Sequence, residues 1–199
     1  GADAIKVGMV HRSEAIEAVA RVVESDAPGV PLVLDPVMYA KGGASLLQPE
    51  ARATLVRRLV PLAVIVTPNI PEAESLGGLE IRGEGDMDRA VKSLLTLGVG
   101  AVLLKGGHLE GKMVRDVLAT ADGVELFESP RIDTPHTHGT GCALSSAIAT
   151  GLAKGLSLRE SVVLARKYVQ EAIRRAPGLG RGRGPLGHGH TVGEFAWRC

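Results

Sequence analysis

Short runs of apolar, often β-branched residues alternate along this sequence with longer segments of helical periodicity, and this alternation restricts the possible folds more than any other feature. The short runs are residues 4–10, 31–34, 63–67 and 101–104. All but the first, which contains Lys6, are almost continuously apolar, as strands covered on both faces are. Helical patterns occupy residues 13–24, 49–59, 71–76 and 86–97. Strands that alternate with helices predict a parallel sheet, the arrangement of an α/β fold.

The second part of the chain predicts a hairpin followed by two helices. The hairpin strands are residues 115–119 and 124–127, separated by a turn-like Ala-Asp-Gly sequence. A helix of small residues is expected over 139–154. A second helix is expected over 157–175, because it opens with the Ser-Leu-Arg-Glu of a capping box. The glycine-rich segment 177–190 has no hydrophobic period and predicts a surface loop.

The composition fits one compact domain, since 45% of the 199 residues are hydrophobic and no repeat or linker divides them. The 23 Lys and Arg nearly balance the 22 Asp and Glu, so no general positive field would attract nucleic acid or an anionic membrane. The longest apolar run, residues 59–66, is far shorter than the roughly 20 residues of a membrane-spanning helix. Two cysteines, Cys142 and Cys199, make no disulfide framework. We expect a soluble cytoplasmic protein.

Polar residues follow three of the predicted strands directly. One strand ends in Asp35, the next in the Thr67-Pro-Asn69 turn, and a third in Lys105-Gly-Gly107. Each turn alone fits an ordinary strand end. Because ligands of open parallel sheets bind beyond the carboxyl ends of the strands, the three together favour a binding site.

The loop before the small-residue helix, with Gly139, Thr140, Gly141 and Cys142, is the most informative segment. Glycines at such a junction let the backbone approach a ligand, and the free N–H groups of the first helical turn attract anions. A phosphate or a phosphoryl group in transfer fits there. Cys142 would lie in that turn, where a thiol pKa tends to fall toward neutrality and the thiolate becomes a usable base or nucleophile. The alternative is a small residue that packs under the helix.

A metal site remains a further interpretation of the loop before the small-residue helix, whereas two known nucleotide-binding motifs are excluded. His136, His138 and Cys142 offer metal ligands, although they lack the paired spacing of a zinc site. The literal G-x-G-x-x-G at 182–187 follows a helix and contains a proline, so it is no dinucleotide site, and the sequence has no P-loop motif.

The segment Asn69-Ile-Pro-Glu72 allows two interpretations. Asn69 as N-cap and Glu72 in the first turn would stabilise a helix. Equally, a carboxylate and an amide are typical ligands of the magnesium that accompanies phosphoryl donors.

Five motifs occur in one order along the chain. They are Lys6-Val7-Gly8-Met9, Asp35-Pro36-Val37-Met38 with the following 40–44, the segment 67–74, Lys105-Gly106-Gly107-His108, and His138-Gly139-Thr140-Gly141-Cys142. In this order the sequence resembles the hydroxymethylpyrimidine and hydroxymethylpyrimidine phosphate kinases of thiamine biosynthesis, within the ribokinase-like superfamily. The resemblance implies a three-layer α/β/α fold, with a mostly parallel sheet and helices on both faces. It covers a kinase domain over 1–190 and leaves 191–199 unassigned.

The resemblance also implies a role for each matching position. The backbone of Gly139, Thr140 and Gly141 corresponds to an anion hole for the transferring phosphoryl group. Cys142 corresponds to the residue that takes the proton from the substrate hydroxyl, a place where most superfamily members have Asp. The positions implied for ATP are Asp35, Thr67, Asn69, Lys105 and Gly107. Those implied for Mg²⁺ are Asp35, Asn69 and Glu72, and those implied for the pyrimidine pocket are Gly8, Met9 and Val37.

The activity implied is ATP-dependent phosphorylation of 4-amino-5-hydroxymethyl-2-methylpyrimidine, its monophosphate, or both, by a homodimer. One alternative is a pyridoxal or pyridoxine kinase, and another is a non-catalytic module that binds nucleotide or pyrimidine. Members of the resembling family carry a further N-terminal segment with part of the substrate site. We therefore expect residues 1–199 to be N-terminally incomplete and poorly active alone.

Overall fold

The structure, a computed structural model, describes residues 1–40 and 42–192. Within them the strands are β1 (Ile5–Val7), β2 (Leu32–Leu34), β3 (Ile65–Val66), β4 (Ala101–Lys105), β5 (Met113–Thr120) and β6 (Gly123–Pro130). The α-helices are α1 (Ser13–Asp26), α2 (Pro49–Arg58), α3 (Ile70–Gly77), α4 (Glu84–Leu95), α5 (Thr140–Ala153) and α6 (Leu158–Arg174). Single 3₁₀ turns lie at Val60–Leu62, Gly106–His108 and His188–Thr191. No helix of the described residues has the length and apolar character needed to cross a membrane.

The six strands form one mixed sheet in the order β1-β2-β3-β4-β5-β6. The first four strands are parallel to one another, and β5 and β6 add an antiparallel hairpin to β4. The α/β fold predicted from the alternating pattern is therefore confirmed, as is the hairpin. Each parallel strand points its carboxyl end toward the same edge of the sheet.

Several elements differ in length from the sequence-based prediction. The first strand was expected over 4–10 but ends at Val7, whose carbonyl accepts a hydrogen bond from the Asp35 N–H at 2.9 Å. Beyond this bond the chain leaves the sheet. The third strand is reduced from the expected 63–67 to the two residues Ile65–Val66, and the 3₁₀ turn Val60–Leu62 precedes it. The hairpin strands are longer than expected, at eight residues each.

Side chains of the sheet alternate between two hydrophobic cores, which confirms helices on both faces. Leu32, Leu34 and Val66 pack on the side covered by α1 to α4. Val33 and Ile65 pack on the side covered by α5 and α6. The near-continuous apolar runs of the sequence follow from this burial on both faces.

The glycine-rich segment 177–190 is irregular up to its final 3₁₀ turn, but it is docked on the fold more closely than a surface loop. Leu186 is buried, and the Gly187 N–H donates to the Ala172 carbonyl of α6 at 2.8 Å. Its literal G-x-G-x-x-G follows a helix and opens no strand–helix unit. Lys41, Cys199 and most of the unassigned tail, 193–199, lie outside the described residues.

Helices α5 and α6 pack closely at Gly151. A Cβ atom at this glycine would lie 2.5 Å from Ser161 Oγ and 3.0 Å from Ser161 Cα. The expected capping box of α6 is present, since the Glu160 N–H donates to Ser157 Oγ and the Ser157 N–H donates to Glu160 Oε2. The start of α6 is therefore fixed close to α5.

This contact predicts the effect of Gly151→Ala. The added methyl would push α6 away, and such overpacking costs about 1–3 kcal/mol of the free energy of unfolding. Urea unfolding monitored by circular dichroism measures the change. Gly85→Ala is the control, because Gly85 lies in a helix with open space around its Cβ position, and the substitution should stabilise the helix by up to about 1 kcal/mol. A Gly151→Ala protein as stable as wild type would contradict the close packing.

Candidate active site

The carboxyl ends of the parallel strands bring the sequence-predicted polar residues together. Asp35 follows β2, Thr67 follows β3, and Lys105 is the last residue of β4. The segments after β3 and β4 are joined directly, since the Lys105 N–H donates to the Pro68 carbonyl at 2.9 Å. The first turn of α5 lies over the same edge, because Ser145 of α5 reaches Asp35.

Asp35 is the centre of this cluster and is only 1% exposed. Its Oδ1 accepts hydrogen bonds from Lys105 Nζ at 2.9 Å and Thr67 Oγ1 at 3.2 Å. Its Oδ2 accepts one from Ser145 Oγ at 3.4 Å. A buried carboxylate is stable only when cations and donors replace the water it has lost, and three different elements supply them here.

The start of α5 has the geometry of an anion site. Gly139 is its N-cap, with a left-handed φ of 83° that favours glycine. The N–H groups of the first helical turn have no intrahelical acceptors, so they remain free for a ligand. A Cβ at Gly141 would lie 3.1 Å from Lys105 Nζ, so the absence of a side chain lets the helix backbone approach the ammonium group. The Thr140 hydroxyl donates back to the Thr137 carbonyl.

The pKa of Cys142 differs from the expectation. The sequence places this thiol in a first helical turn and predicts a lowered pKa, but the pKa is raised above its ordinary value. The main cause is partial withdrawal of the thiol from water, and the Asp35 carboxylate adds to it, while Lys6 and Lys105 act in the opposite direction. Cys142 is nevertheless exposed on the protein surface, so a substrate can reach it.

Asn69 and Glu72 form a complete capping box at the start of α3. The Glu72 N–H donates to Asn69 Oδ1 at 2.9 Å, and the Asn69 N–H donates to Glu72 Oε2 at 2.8 Å. Glu72 is buried, which raises the pKa of its carboxyl group, whereas the Lys105 charge lowers it. The helix-stabilising interpretation is thus confirmed, and a cation-binding role for the same residues stays a prediction.

A further acid holds the turn after β4. Asp116 of β5 accepts a hydrogen bond from the Gly106 N–H through Oδ1 at 3.0 Å and one from Arg166 Nε through Oδ2 at 2.8 Å. Both side chains of this ion pair are largely buried. The pair fixes the backbone between Lys105 and the exposed Gly107, where ATP is expected.

The predicted pyrimidine-binding residues lie at two adjacent strand ends. Gly8 and Met9 follow β1, and Val37 follows β2, where its N–H donates to the Asp35 carbonyl at 2.8 Å. Met9 is largely exposed. The pyrimidine pocket stays a prediction, and the position of these residues close to Asp35 is consistent with it.

Three residues of this region were not predicted as site residues: Ser145, Asp116 and Lys6. Ser145 lies three residues after Cys142, so helical spacing places it on the same side of α5 one turn later. Asp116 and Lys6 are charged residues within strands, and Asp116 is buried. A buried charge in a strand requires a partner or a ligand, and this is the signal that could have identified both.

The zinc interpretation has no support in the described part of the chain, where no three His, Cys, Asp or Glu side chains gather as metal ligands. His136 instead accepts a hydrogen bond from the Gly184 N–H through Nδ1 at 3.2 Å. Its ring therefore fastens the glycine-rich segment to the loop before α5.

Comparison with known proteins gives consistent results. The family model described as phosphomethylpyrimidine kinase matches residues 1–187. A bifunctional thiamine biosynthesis protein of Geobacter sulfurreducens is 48% identical over 186 residues, which are 94% of this chain and 38% of that protein. A hydroxymethylpyrimidine/phosphomethylpyrimidine kinase of Rhizobium meliloti is 45% identical over 190 residues, 94% of this chain and 71% of the relative.

A solved structure resembles this fold closely. The ADP complex of a pyridoxal kinase from Bacillus subtilis superimposes with a TM-score of 0.89 at 37% identity, covering 96% of this chain and 72% of that one. The ribokinase-like α/β fold implied by the sequence motifs is confirmed by this likeness. The two sequence relatives above are more similar in sequence than this structure is.

A double-mutant cycle should show that the buried Asp35 and Lys105 are coupled in the free energy of unfolding. Lys105→Met leaves Asp35 buried without its cation, and such a loss costs about 3–5 kcal/mol of unfolding free energy. Asp35→Asn together with Lys105→Met removes both charges, so the double variant should be more stable than Lys105→Met alone. Denaturant unfolding of the variants measures these energies. Additive effects of the two substitutions would show that the ions do not interact.

Proposed function

Because this chain belongs to the phosphomethylpyrimidine kinase family, we propose that it transfers the γ-phosphoryl group of ATP to 4-amino-5-hydroxymethyl-2-methylpyrimidine, to its monophosphate, or to both. One observation carries the proposal: the N-terminus of α5 lies directly over the Lys105 ammonium group, with the Cys142 thiol in the same helical turn. This combination offers positive charge to a phosphoryl group and a proton acceptor beside it. The chain spans only 38% of the bifunctional relative, so activity is assigned to the complete gene product that contains these residues.

The site residues supply most of what phosphoryl transfer needs. Positioning and electrostatic stabilisation dominate this reaction, since charge spreads over the oxygens of the transferring group. Lys105 and the backbone N–H groups of residues 139–141 would bind those oxygens. Thr67, Asn69 and Gly107 lie on the turns beyond the strand ends, where the rest of the nucleotide is expected.

Proton transfer is assigned to Cys142. Its thiolate takes the proton from the acceptor hydroxyl while that oxygen forms a bond to the γ-phosphorus. The bond between the γ-phosphorus and the bridging oxygen breaks, and ADP leaves. The raised pKa of Cys142 means that little thiolate is present at neutral pH, so the step should accelerate as the pH rises.

Glu72 is the residue best suited to a divalent cation that accompanies ATP. It is a hard oxygen donor in a buried position, where its carboxylate accepts backbone hydrogen bonds from the Asn69 N–H at 2.8 Å and from Met38. Asp35 already accepts bonds from Lys105 and Thr67, so its contribution would run through water. Bound magnesium would neutralise the phosphate charge.

The pyridoxal kinase alternative rests on the solved structure at 37% identity. The curated relative at 45% is named a hydroxymethylpyrimidine/phosphomethylpyrimidine kinase, and the one at 48% is named a thiamine biosynthesis protein. We therefore favour the pyrimidine. Competition between the two acceptors, with the complete gene product, decides the question: preferential phosphorylation of pyridoxal would overturn our assignment. Transfer to neither acceptor, with nucleotide binding retained, would favour the non-catalytic module. A cytoplasmic homodimer and weak activity of residues 1–199 alone also stay predictions.

The thiol predicts a distinctive pH profile. For wild type, kcat/KM for the pyrimidine alcohol should rise with pH through the alkaline range, toward the raised pKa of Cys142. Cys142→Asp supplies a base that is ionised at neutral pH, so the alkaline rise should disappear. Cys142→Ser should lower kcat by about 10²-fold or more while ATP binding persists. Unchanged turnover in Cys142→Ser would show that the thiol only packs in the structure and does not accept the proton.

Glu72→Gln separates helix capping from cation binding. A glutamine still accepts the Asn69 N–H, so thermal stability should be preserved. The Mg²⁺ concentration for half-maximal activity should rise about tenfold or more, because a charged ligand is lost. Glu74→Gln is the control, since Glu74 lies on the same helix as Glu72 and accepts its hydrogen bond from the Ile81 N–H, beyond the helix end. If both variants show the same Mg²⁺ dependence, Glu72 caps the helix and does not bind the cation.

A further inference from the structure

Lys6 carries a charge at the site that the proposed reaction does not use. It lies in β1 opposite Val33 of β2, whose side chain packs in the core beneath α5. Facing residues of neighbouring parallel strands share one side of a sheet, so Lys6 points toward α5 as well. Its ammonium group lies beside the Gly8 backbone, because a Cβ at Gly8 would be 2.5 Å from Nζ.

Lys6 is half-buried, and its ammonium group has no partner in the part of the chain that the structure describes. Across residues 1–40 and 42–192, Lys6 makes no hydrogen bond and no ion pair, whereas Lys105 is bound to Asp35 at 2.9 Å. Withdrawing a cation from water without a partner is unfavourable. A group that persists in this state at a binding site is suited to an anionic ligand.

The surroundings of Lys6 define where that anion would lie. On one side is Gly8, in the segment expected to line the acceptor pocket. On the other is Cys142, close enough for the Lys6 charge to lower its pKa. The Asp35 carboxylate is paired with Lys105 at 2.9 Å and also lies beside the Cys142 thiol. Lys6 is therefore placed between the expected acceptor pocket and the proposed base, and within the described residues it has no carboxylate partner of its own.

Resting on the proposed function, we propose that Lys6 binds the phosphate of a phosphorylated acceptor and so favours transfer to the monophosphate over transfer to the free alcohol. A phosphate monoester carries about −1.5 to −2 charges at pH 7. Its approach to the γ-phosphoryl group brings two anions together, and an unpaired ammonium between them lowers that repulsion.

This second transfer has its own chemistry. An ionised oxygen of the acceptor phosphate forms the new bond to the γ-phosphorus, the bond to the bridging oxygen breaks, and ADP leaves with the acceptor converted to its diphosphate. No proton has to be removed from the attacking oxygen, because it is already ionised. The second transfer therefore depends on Lys6 for charge, whereas the first depends on Cys142 for proton removal.

The test compares the two acceptors in the complete gene product. The readout is the ratio of kcat/KM for the pyrimidine monophosphate to kcat/KM for the pyrimidine alcohol. Lys6→Met keeps the unbranched stem, one atom shorter, without its charge and should lower this ratio about tenfold or more, as expected for a lost charged hydrogen bond. Lys6→Arg should retain most of the ratio. Lys92→Met, an exposed lysine on α4, should leave the ratio unchanged.

Calorimetric titration with the monophosphate in the absence of ATP provides a readout independent of turnover, and Lys6→Met should weaken this binding by a similar factor. An unchanged ratio with unchanged binding in Lys6→Met overturns the proposal. An equal loss for both acceptors also overturns it, because Lys6 would then act on Cys142 or on folding. Failure of the proposed function is recognised separately, since the wild-type protein would then phosphorylate neither acceptor.

Discussion

One buried carboxylate links the parallel strands to the helix that covers them. Asp35 closes β2 and accepts bonds from β4, from the residue after β3 and from α5. At 1% exposure its charge is stable only because partners on these elements replace water. Apolar packing holds both faces of the sheet, whereas its carboxyl edge is held by this charged network. The positions of Thr67, Lys105 and the start of α5 at that edge depend on it.

Stability and anion binding therefore share the same atoms. Ser145 fastens α5 to Asp35, and the missing side chain of Gly141 lets the first turn approach Lys105. A helix N-terminus beside a cation attracts a phosphate. The Asp35 carboxylate compensates the ammonium charge, so the helix start and the cation can lie close together. The nearly balanced charge of the chain agrees with this arrangement. A few oriented groups attract the anion here, rather than a general positive field.

The sequence predicted the parallel strands, the hairpin and the strand-end residues well, because all of them follow from local patterns. Burial on two faces produces continuous apolar runs, and Asp35, Thr67 and Lys105 interrupt them where the strands end. What it could not predict depends on contacts between distant segments. The lowered pKa expected for Cys142 followed from its own helix alone, whereas burial and the Asp35 charge raise the pKa despite the opposing charges of Lys6 and Lys105. The role of Asp116 depends on Arg166, fifty residues away.

The two lysines at the sheet edge show how one fold can serve two anions. Lys105 is held in place by its partner, so its charge is fixed but largely compensated. Lys6 has no such restraint in the described residues, and its flexible stem lets the ammonium group follow a ligand. A paired cation provides a rigid platform for a phosphoryl group whose position must not vary. An unpaired cation gains the full interaction energy when an anion arrives, and for this reason it discriminates between acceptors that differ by one phosphate.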